Sequence, residues 1–294
     1  MTHCIVCGAP VDPVADHVWR KDGLDILRCA SCSLVFRAEP PDEAALAEIY
    51  DEGYFRDSPD GESRHGYSDY LRDAALHRAN ARRRLKLLAR LLPGKGSLLD
   101  VGCAGGFFVD EARRAGWDAS GIDVSAAMTE FAQSELHVPV LRASFSDPAV
   151  ELPELDAVTM WDYIEHSIDP RADLVRAQQH LRPGGALVLS TGDIETLSAR
   201  LTGRRWHLLT PEHHNFFFGA STIRRLLDDT GFDVAELRHP AGLHSVSHVL
   251  YKLESFGGLR AVRQAAARLG ASRVGATGVP LNLWDVMTVV ARRR

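Results

Sequence analysis

The sequence predicts an α/β protein: a Rossmann-like, doubly wound, mostly parallel sheet behind a small N-terminal cysteine ribbon. Three observations carry that prediction. Strand and helix patterns alternate between residues 97 and 190, which implies right-handed crossovers and helices on both faces of one sheet. The first of those strands runs into an acid and a glycine-rich turn, Leu99-Asp100-Val101-Gly102-Cys103-Ala104-Gly105-Gly106. Two cysteine pairs, Cys4-x-x-Cys7 and Cys29-x-x-Cys32, stand ahead of it.

The 294 residues are enough for one large domain with a small satellite. Hydrophobic content of 45% and charged content of 25% are those of a globular chain. A net charge of −5 offers nucleic acid no global attraction, so a nucleic-acid partner is not expected. The opening residues do not read as a secretory leader, and no stretch approaches a membrane span. Five cysteines, four of them in two pairs, suit a reducing cytoplasm better than a disulfide framework.

Each cysteine pair can form a tight turn that offers two thiolates, and two such turns complete a tetrahedral zinc site at Cys4, Cys7, Cys29 and Cys32. Four protein ligands leave no open position, so the metal is structural. So small a module cannot bury enough core to fold alone, and the metal supplies much of its stability. Strand-like pieces at 17–20 and 24–28 and at Val35-Phe36 fill the ribbon, residues 1–40, and Pro40-Pro41 ends it. Residues 41–96 read as a helical extension and lid: a short helix over 42–50, a Gly/Asp/Ser-rich segment over 51–66 with Tyr54-Phe55, then a long helix from about 68 to 92. Leu71, Ala75, Leu85, Leu88 and Leu92 stripe that helix, and Pro93-Gly94 stops it.

The sheet domain occupies residues 97–294. Strands are expected at 97–101, 118–123, 138–141, 156–161 and 186–190, with helices over 106–115, from a Ser125 cap to about 136, and from Asp169-Pro170 to about 180. A helix over 221–230, a strand over 232–237 and a β-branched strand over 285–291 follow, with a helical insertion at about 240–280.

An acid just before the glycine turn separates two ligand classes. A dinucleotide fold brings a helix N-terminus to a pyrophosphate, which a carboxylate at Asp100 would repel. The same carboxylate suits S-adenosylmethionine, which carries a sulfonium and an ammonium. Asp123, closing the second strand, can accept both ribose hydroxyls.

Together with Trp161-Asp162-Tyr163-Ile164-Glu165-His166, Leu181-Arg182-Pro183-Gly184-Gly185 and Pro211-Glu212-His213, these landmarks resemble the class I S-adenosylmethionine-dependent methyltransferases. More closely, they resemble the bacterial branch with an N-terminal zinc ribbon that acts on sugars and other small molecules. The resemblance implies a seven-stranded sheet whose last strand is antiparallel. It places Asp100, Gly102, Cys103, Ala104, Gly106, Asp123 and Val124 around the methyl donor, with Ser144 and Phe145 at the adenine and Asp162 and Tyr163 on the opposite wall. Ala104 stands where the family usually has Gly. The segment Glu212-His213-His214-Asn215-Phe216-Phe217 resembles the Glu-His segment of deoxysugar C-methyltransferases. That makes His213 the base, Glu212 its orienting partner and Tyr54 a third catalytic residue.

The acceptor implied is a small molecule, first of all a carbohydrate, nucleotide-linked or part of a glycan. A quinone-like or aromatic metabolite is the alternative, and an rRNA methyltransferase a more distant one. Glu165 and His166 read as loop-ordering residues. Arg200, Arg204 and Arg205 form a local basic patch suited to a phosphate or carboxylate. The amphipathic stretch 246–270 reads as a lid or homodimer helix, with contact to a membrane or lipid-linked substrate as the alternative.

Overall fold

The computed structural model describes residues 3–41, 70–71, 73–246, 249 and 278–294. Tyr54, the expected helix over 42–50, the segment 51–66 and most of the amphipathic stretch 246–270 lie outside them.

A seven-stranded sheet organises the chain. Its strands are β4 (Ser97–Val101), β5 (Asp118–Asp123), β6 (Val140–Arg142), β7 (Leu155–Trp161), β8 (Leu181–Gly192), β10 (Phe232–Arg238) and β13 (Val286–Arg293). The order across the sheet is β10-β13-β8-β7-β4-β5-β6. The pairs β6–β5, β5–β4, β4–β7 and β7–β8 are parallel, whereas β13 runs antiparallel to both β8 and β10. The expected reversed last strand is therefore present, inserted between two earlier ones.

Strand alternation divides the core. Leu99, Val158, Leu187, Leu189 and Val289 bury one face, while Leu98, Ala157, Val188 and Val290 bury the other. The helix α1 (Ala74–Leu91) and the helix α2 (Phe107–Arg114) cover the second face through Leu85, Leu88, Phe108 and Val109. On the first face lie α4 (Pro170–His180) and α6 (Ala220–Asp229), with Leu174, Ala177, Ile223 and Leu227 in the core. Between them in sequence come α3 (Ala126–Ser134) and α5 (Leu197–Thr202). Ser125 caps α3 by accepting from the Met128 amide, and Asp169 caps α4 from Ala172, with Pro170 in its first turn.

Three expectations shift. The fifth strand begins at Leu181, because Arg182–Gly185 form a register slip against β7 and do not end the pairing. Leu71 lies outside α1 and is exposed; the buried stripe is Ala81, Leu85, Leu87 and Leu88. The described ends of the expected helical insertion are strands, β11 (Gly242–Ser245) paired with β12 (Gly278–Leu281).

The ribbon is joined to the body. Its strands β1 (His17–Lys21), β2 (Leu24–Arg28) and β3 (Val35–Arg37) continue into β9 (Phe216–Phe217), with Val35 opposite Phe217 and Phe36 opposite Phe216. Leu27, Leu34 and Phe36 share one buried cluster with Phe216, Phe218 and the first face of the large sheet. The Arg171 guanidinium on α4 donates to the carbonyls of Ile5 and Val6.

Candidate active site

The crossovers reverse direction at β4, which has β5 and β6 on one side and β7 and β8 on the other. Open α/β sheets form a crevice outside the carboxyl ends of their strands at such a point. Here it is a cleft of about 1720 Å³, more than one small ligand needs. Its walls include Asp100, Gly102, Cys103, Ala104, Asp123 and Val124 from the first two strand ends, and Ser144 and Phe145 after β6. Asp162, Tyr163, Glu212 and His213 line it from the other side.

The Asp123 carboxylate is fixed by two backbone amides: Ser125 N donates to Oδ1 at 2.9 Å and Ala104 N to Oδ2 at 2.8 Å. A carboxylate has about four acceptor positions, so each oxygen keeps capacity for one hydroxyl. Burial raises its pKa from the usual range. Asp100, 3% exposed, accepts from Thr159 Oγ1 at 2.6 Å, and burial pushes its carboxyl up to about 7. A cationic ligand beside it would restore the ionised form.

The glycine turn has two functions. Gly102 has φ +69°, and a Cβ there would stand 2.7 Å from Cδ2 of Tyr163, so only glycine lets that ring close over the turn. Gly106, expected at the cofactor, does not line the cleft. It precedes α2 with φ +74°, and a Cβ would meet Ala132 at 2.9 Å and Val138 at 3.0 Å, so its bareness serves helix packing. Ala104 adopts φ +45°, a left-handed conformation that strains a residue with a Cβ. Cys103 is buried, its side chain packed on Gly121, and burial raises its thiol pKa well above the ordinary value.

Across the cleft, Asp162 accepts from Ser190 Oγ at 2.8 Å and pairs with Arg84 at 3.1 Å; Arg84 in turn lies 4.4 Å over the Trp161 ring. Tyr163 donates to Asp173 at 2.9 Å, and Ser167 and Ser146 donate to the same buried carboxylate. These hydroxyls fix the tyrosine wall against α4.

Two sequence-distant motifs meet here. Asn215 N donates to the Glu165 carbonyl, Asn215 Nδ2 to the His166 carbonyl, and His166 Nδ1 to the His213 carbonyl at 2.9 Å. Since carbonyls only accept, His166 carries its proton on Nδ1 and its lone pair on Nε2. His214 donates from Nδ1 to the Leu208 carbonyl at 3.1 Å and stands edge-on to His166 at 4.6 Å. Glu165, His166 and His214 bring one carboxylate oxygen and two imidazole nitrogens within 4.8 Å of one another, a donor set able to hold a divalent cation. Burial raises the Glu165 carboxyl and lowers His166 to about 4.

His213 and Glu212, expected as a base and its orienting partner, both line the cleft. Glu212 is exposed and acts electrostatically on Lys21 of the ribbon, whose ammonium donates to the Leu209 carbonyl. Sequence reasoning missed a different pair, His207 Nε2 with Asp285 Oδ2 at 3.3 Å, both side chains 5% exposed and both lining the cleft. No spacing signals it, because a loop and the approach to β13 supply one residue each.

The four ribbon cysteines gather as expected. Cys4 and Cys32 sulfurs are 3.5 Å apart, as are those of Cys7 and Cys29, and all four ligand atoms lie within 4.8 Å of one another. A tetrahedral zinc with bonds of about 2.3 Å needs sulfurs about 3.8 Å apart, so the set fits such an ion.

Sheet order, reversed strand and cleft define a class I S-adenosylmethionine-dependent methyltransferase fold. Solved structures agree. Magnesium protoporphyrin IX methyltransferase from Synechocystis, with bound S-adenosylhomocysteine, matches with a TM-score of 0.54 and 16% identity, over 86% of this chain and 100% of that one. A possible histamine N-methyltransferase from Thermotoga maritima matches with 0.50 and 16%, over 76% and 93%. A family model described as a methyltransferase domain covers residues 70–237, and the chain belongs to that family. Among curated proteins, a ubiquinone biosynthesis O-methyltransferase of Xanthomonas axonopodis is 35% identical over 122 residues, 40% of this chain and 51% of that protein. One from Psychrobacter cryohalolentis is 32% identical over 169 residues, 53% and 58%. The chain spans about half the length of the curated relatives it matches.

Proposed function

We propose that the protein is an S-adenosylmethionine-dependent O-methyltransferase of a small phenolic acceptor of the quinone-precursor kind. The observation that carries the donor half is Asp123, held on the cleft by two backbone amides with one acceptor position left on each oxygen. That geometry suits two vicinal ribose hydroxyls. Asp100 would face the ammonium, Phe145 and Ser144 the adenine, and Tyr163 the opposite side. When bound, S-adenosylmethionine supplies a methyl group on positive sulfur. The protein then has to align an acceptor oxygen with that carbon, exclude water and take one proton.

The curated relatives, O-methyltransferases of ubiquinone biosynthesis, favour the aromatic alternative over the carbohydrate that the sequence reading put first. A small-molecule acceptor also agrees with the acidic net charge of −5. No described helix is long and apolar enough to cross a membrane. Zinc in the four-cysteine site would lock β3 beside β9, and with it the loop that ends at Asn215.

Methyl-labelled donor incubated with catechols, hydroquinones and sugar nucleotides, followed by mass spectrometry, tests the acceptor class. A methylated phenol is expected. Label on a sugar hydroxyl alone would return the carbohydrate reading.

A further inference from the structure

We propose that Glu165, His166 and His214 form a divalent-cation site on the acceptor side of the cleft, with open positions that take the oxygens of the acceptor. The role given to the cation rests on the phenolic reading above; the site itself rests on the donor atoms.

Two loops assemble those donors. Glu165 and His166 follow the carboxyl end of β7, and His214 closes a turn in which its amide donates to the Thr210 carbonyl. Asn215 ties the loops together: its amide donates to the Glu165 carbonyl, and its Nδ2 to the carbonyls of His166 and Ser167. Each imidazole is held through Nδ1, His166 on the His213 carbonyl at 2.9 Å and His214 on the Leu208 carbonyl at 3.1 Å. A ring that donates Nδ1–H to a backbone carbonyl has Nε2 as its ligand atom. That is the usual orientation of a metal-bound histidine, and both rings have it.

Glu165 supplies the charge. It is 5% exposed, and its Oε2 is buried with no hydrogen-bond partner among the described residues. Asp162 acts electrostatically on Glu165, which it repels, and on His214. A buried carboxylate so placed calls for a cation. Bonds of about 2.1 Å set the donors around one ion about 3.0–4.2 Å apart. One atom from each of the three residues lies within 4.8 Å of the others, so small side-chain rotations close the set.

Two imidazoles and a carboxylate suit zinc or manganese better than magnesium or calcium, which take oxygen ligands. The described residues supply three ligands here, where the ribbon supplies four, so this site keeps a position open. All three line the cleft beside Asp162 and Tyr163, and the open position is reached from it. Because β7 pairs with β4, the loop carrying Glu165 stands one strand, about 4.8 Å, from the strand that carries Asp100. An acceptor oxygen held there lies beside the donor half of the cleft. Two vicinal oxygens of a catechol can chelate one cation, whereas an isolated phenol offers it a single ligand.

The step balances. The cation favours phenolate over phenol, and the phenolic proton leaves to solvent as the acceptor binds. The phenolate oxygen forms its bond to the methyl carbon while the carbon–sulfur bond breaks with its electron pair on sulfur, leaving S-adenosylhomocysteine. The cation keeps its oxidation state, so neither oxidant nor reductant is needed.

The test uses the full chain carrying one equivalent of zinc, which four thiolates hold in preference to other sites, and manganese as the probe. Electron paramagnetic resonance and calorimetry should find one further manganese per chain, with a spectrum that catechol perturbs, and turnover of catechol should rise as the manganese binds. Glu165→Gln and His214→Gln should each weaken manganese binding about 10-fold or more and abolish the catechol perturbation, with affinity for S-adenosylmethionine unchanged; Glu165→Asp should regain part of the manganese affinity. No stoichiometric manganese in the wild-type protein, or binding that neither variant weakens, would overturn the site. Variants that lose donor affinity as well would mark the three residues as structural and overturn it too. Manganese that binds while catechol neither perturbs its spectrum nor depends on it for turnover would overturn the acceptor role. Manganese bound at these residues in a protein that binds the donor but methylates only sugars would uphold the site and sink the phenolic reading. Failure to bind the donor at all would sink the methyltransferase reading.

Discussion

The two halves of the cleft are built by different means. On the donor side, Asp100, Gly102, Ala104 and Asp123 come from two adjacent parallel strands and the turn between strand and helix, and Ala104 N already bonds Asp123. On the acceptor side, residues from β7, from the loop after β8, from the approach to β13 and from the ribbon converge only in the folded chain. A site on contiguous strand ends inherits its precision from the sheet. One assembled from distant loops needs bracing, and here the ribbon braces it through β9, Trp206 and the Lys21 contact to Leu209.

The largest effect that would separate the halves is loss of the four-cysteine site that could hold a metal. Cys29→Ser, or chelation of a zinc held by the four cysteines, should unfold the ribbon, because such a metal would supply much of its folding energy. Turnover should collapse while donor affinity falls far less; equal losses of both would show that the halves are not separately supported. Next, Asp123→Ala removes two hydroxyl acceptors from the donor side. Calorimetry should show affinity weakened by about 10²-fold or more, as for two charge-assisted hydrogen bonds, with the fold retained by circular dichroism. Unchanged affinity would remove Asp123 from the site.

A third comparison uses pH. The Asp100 carboxyl, pushed up to about 7 by burial, binds more protons in the folded protein than in the unfolded chain between about pH 4 and 7. Its contribution to the stability of the ligand-free protein is therefore present below pH 4 and lost as pH rises through 7. Donor affinity should move the opposite way, rising through pH 7 as the carboxylate ionises. Asp100→Asn should flatten both trends in thermal melts and titrations; a donor affinity independent of pH in the unmodified protein would exclude contact between Asp100 and the ammonium. The smallest effect is that of Ala104→Gly. Relief of the left-handed alanine, offset by glycine's greater unfolded-state entropy, should stabilise by about 1 kcal/mol or less, read by denaturant melts.

The same contrast explains what the sequence could show. Asp100, Asp123 and the Ser125 cap were legible because each follows its strand at fixed spacing, and strand alternation records two-sided burial directly. The cysteine cluster was legible because metal chemistry demands its pairs. At Gly106 the structure adds a packing reason that the sequence does not show, since a glycine spared for helix packing and one spared for a ligand look alike in one dimension. Glu212 and His213 are motif neighbours that both reach the cleft wall, and what no motif shows is that Glu212 also acts electrostatically on Lys21 of the ribbon. His207 and Asp285 left no trace because only the sheet brings them together. Phe216 and Phe217 read as the end of the Glu-His segment, while their backbone is the fourth strand of the ribbon sheet.

The position of β13 also dictates the order in which the molecule can be made. Strands β8 and β10 must stay apart, with backbone donors and acceptors unpaired toward each other, until a segment that follows β10 by many residues slots between them. Closure over so long a sequence separation is entropically slow, so an open-edged intermediate is expected during refolding. In that intermediate the parallel half of the sheet, and with it the nucleoside crevice, can already exist. The wall of the cleft at residue 285 arrives only with the closing strand, so the donor side of the cleft forms early in folding and the side bounded by β13 forms late.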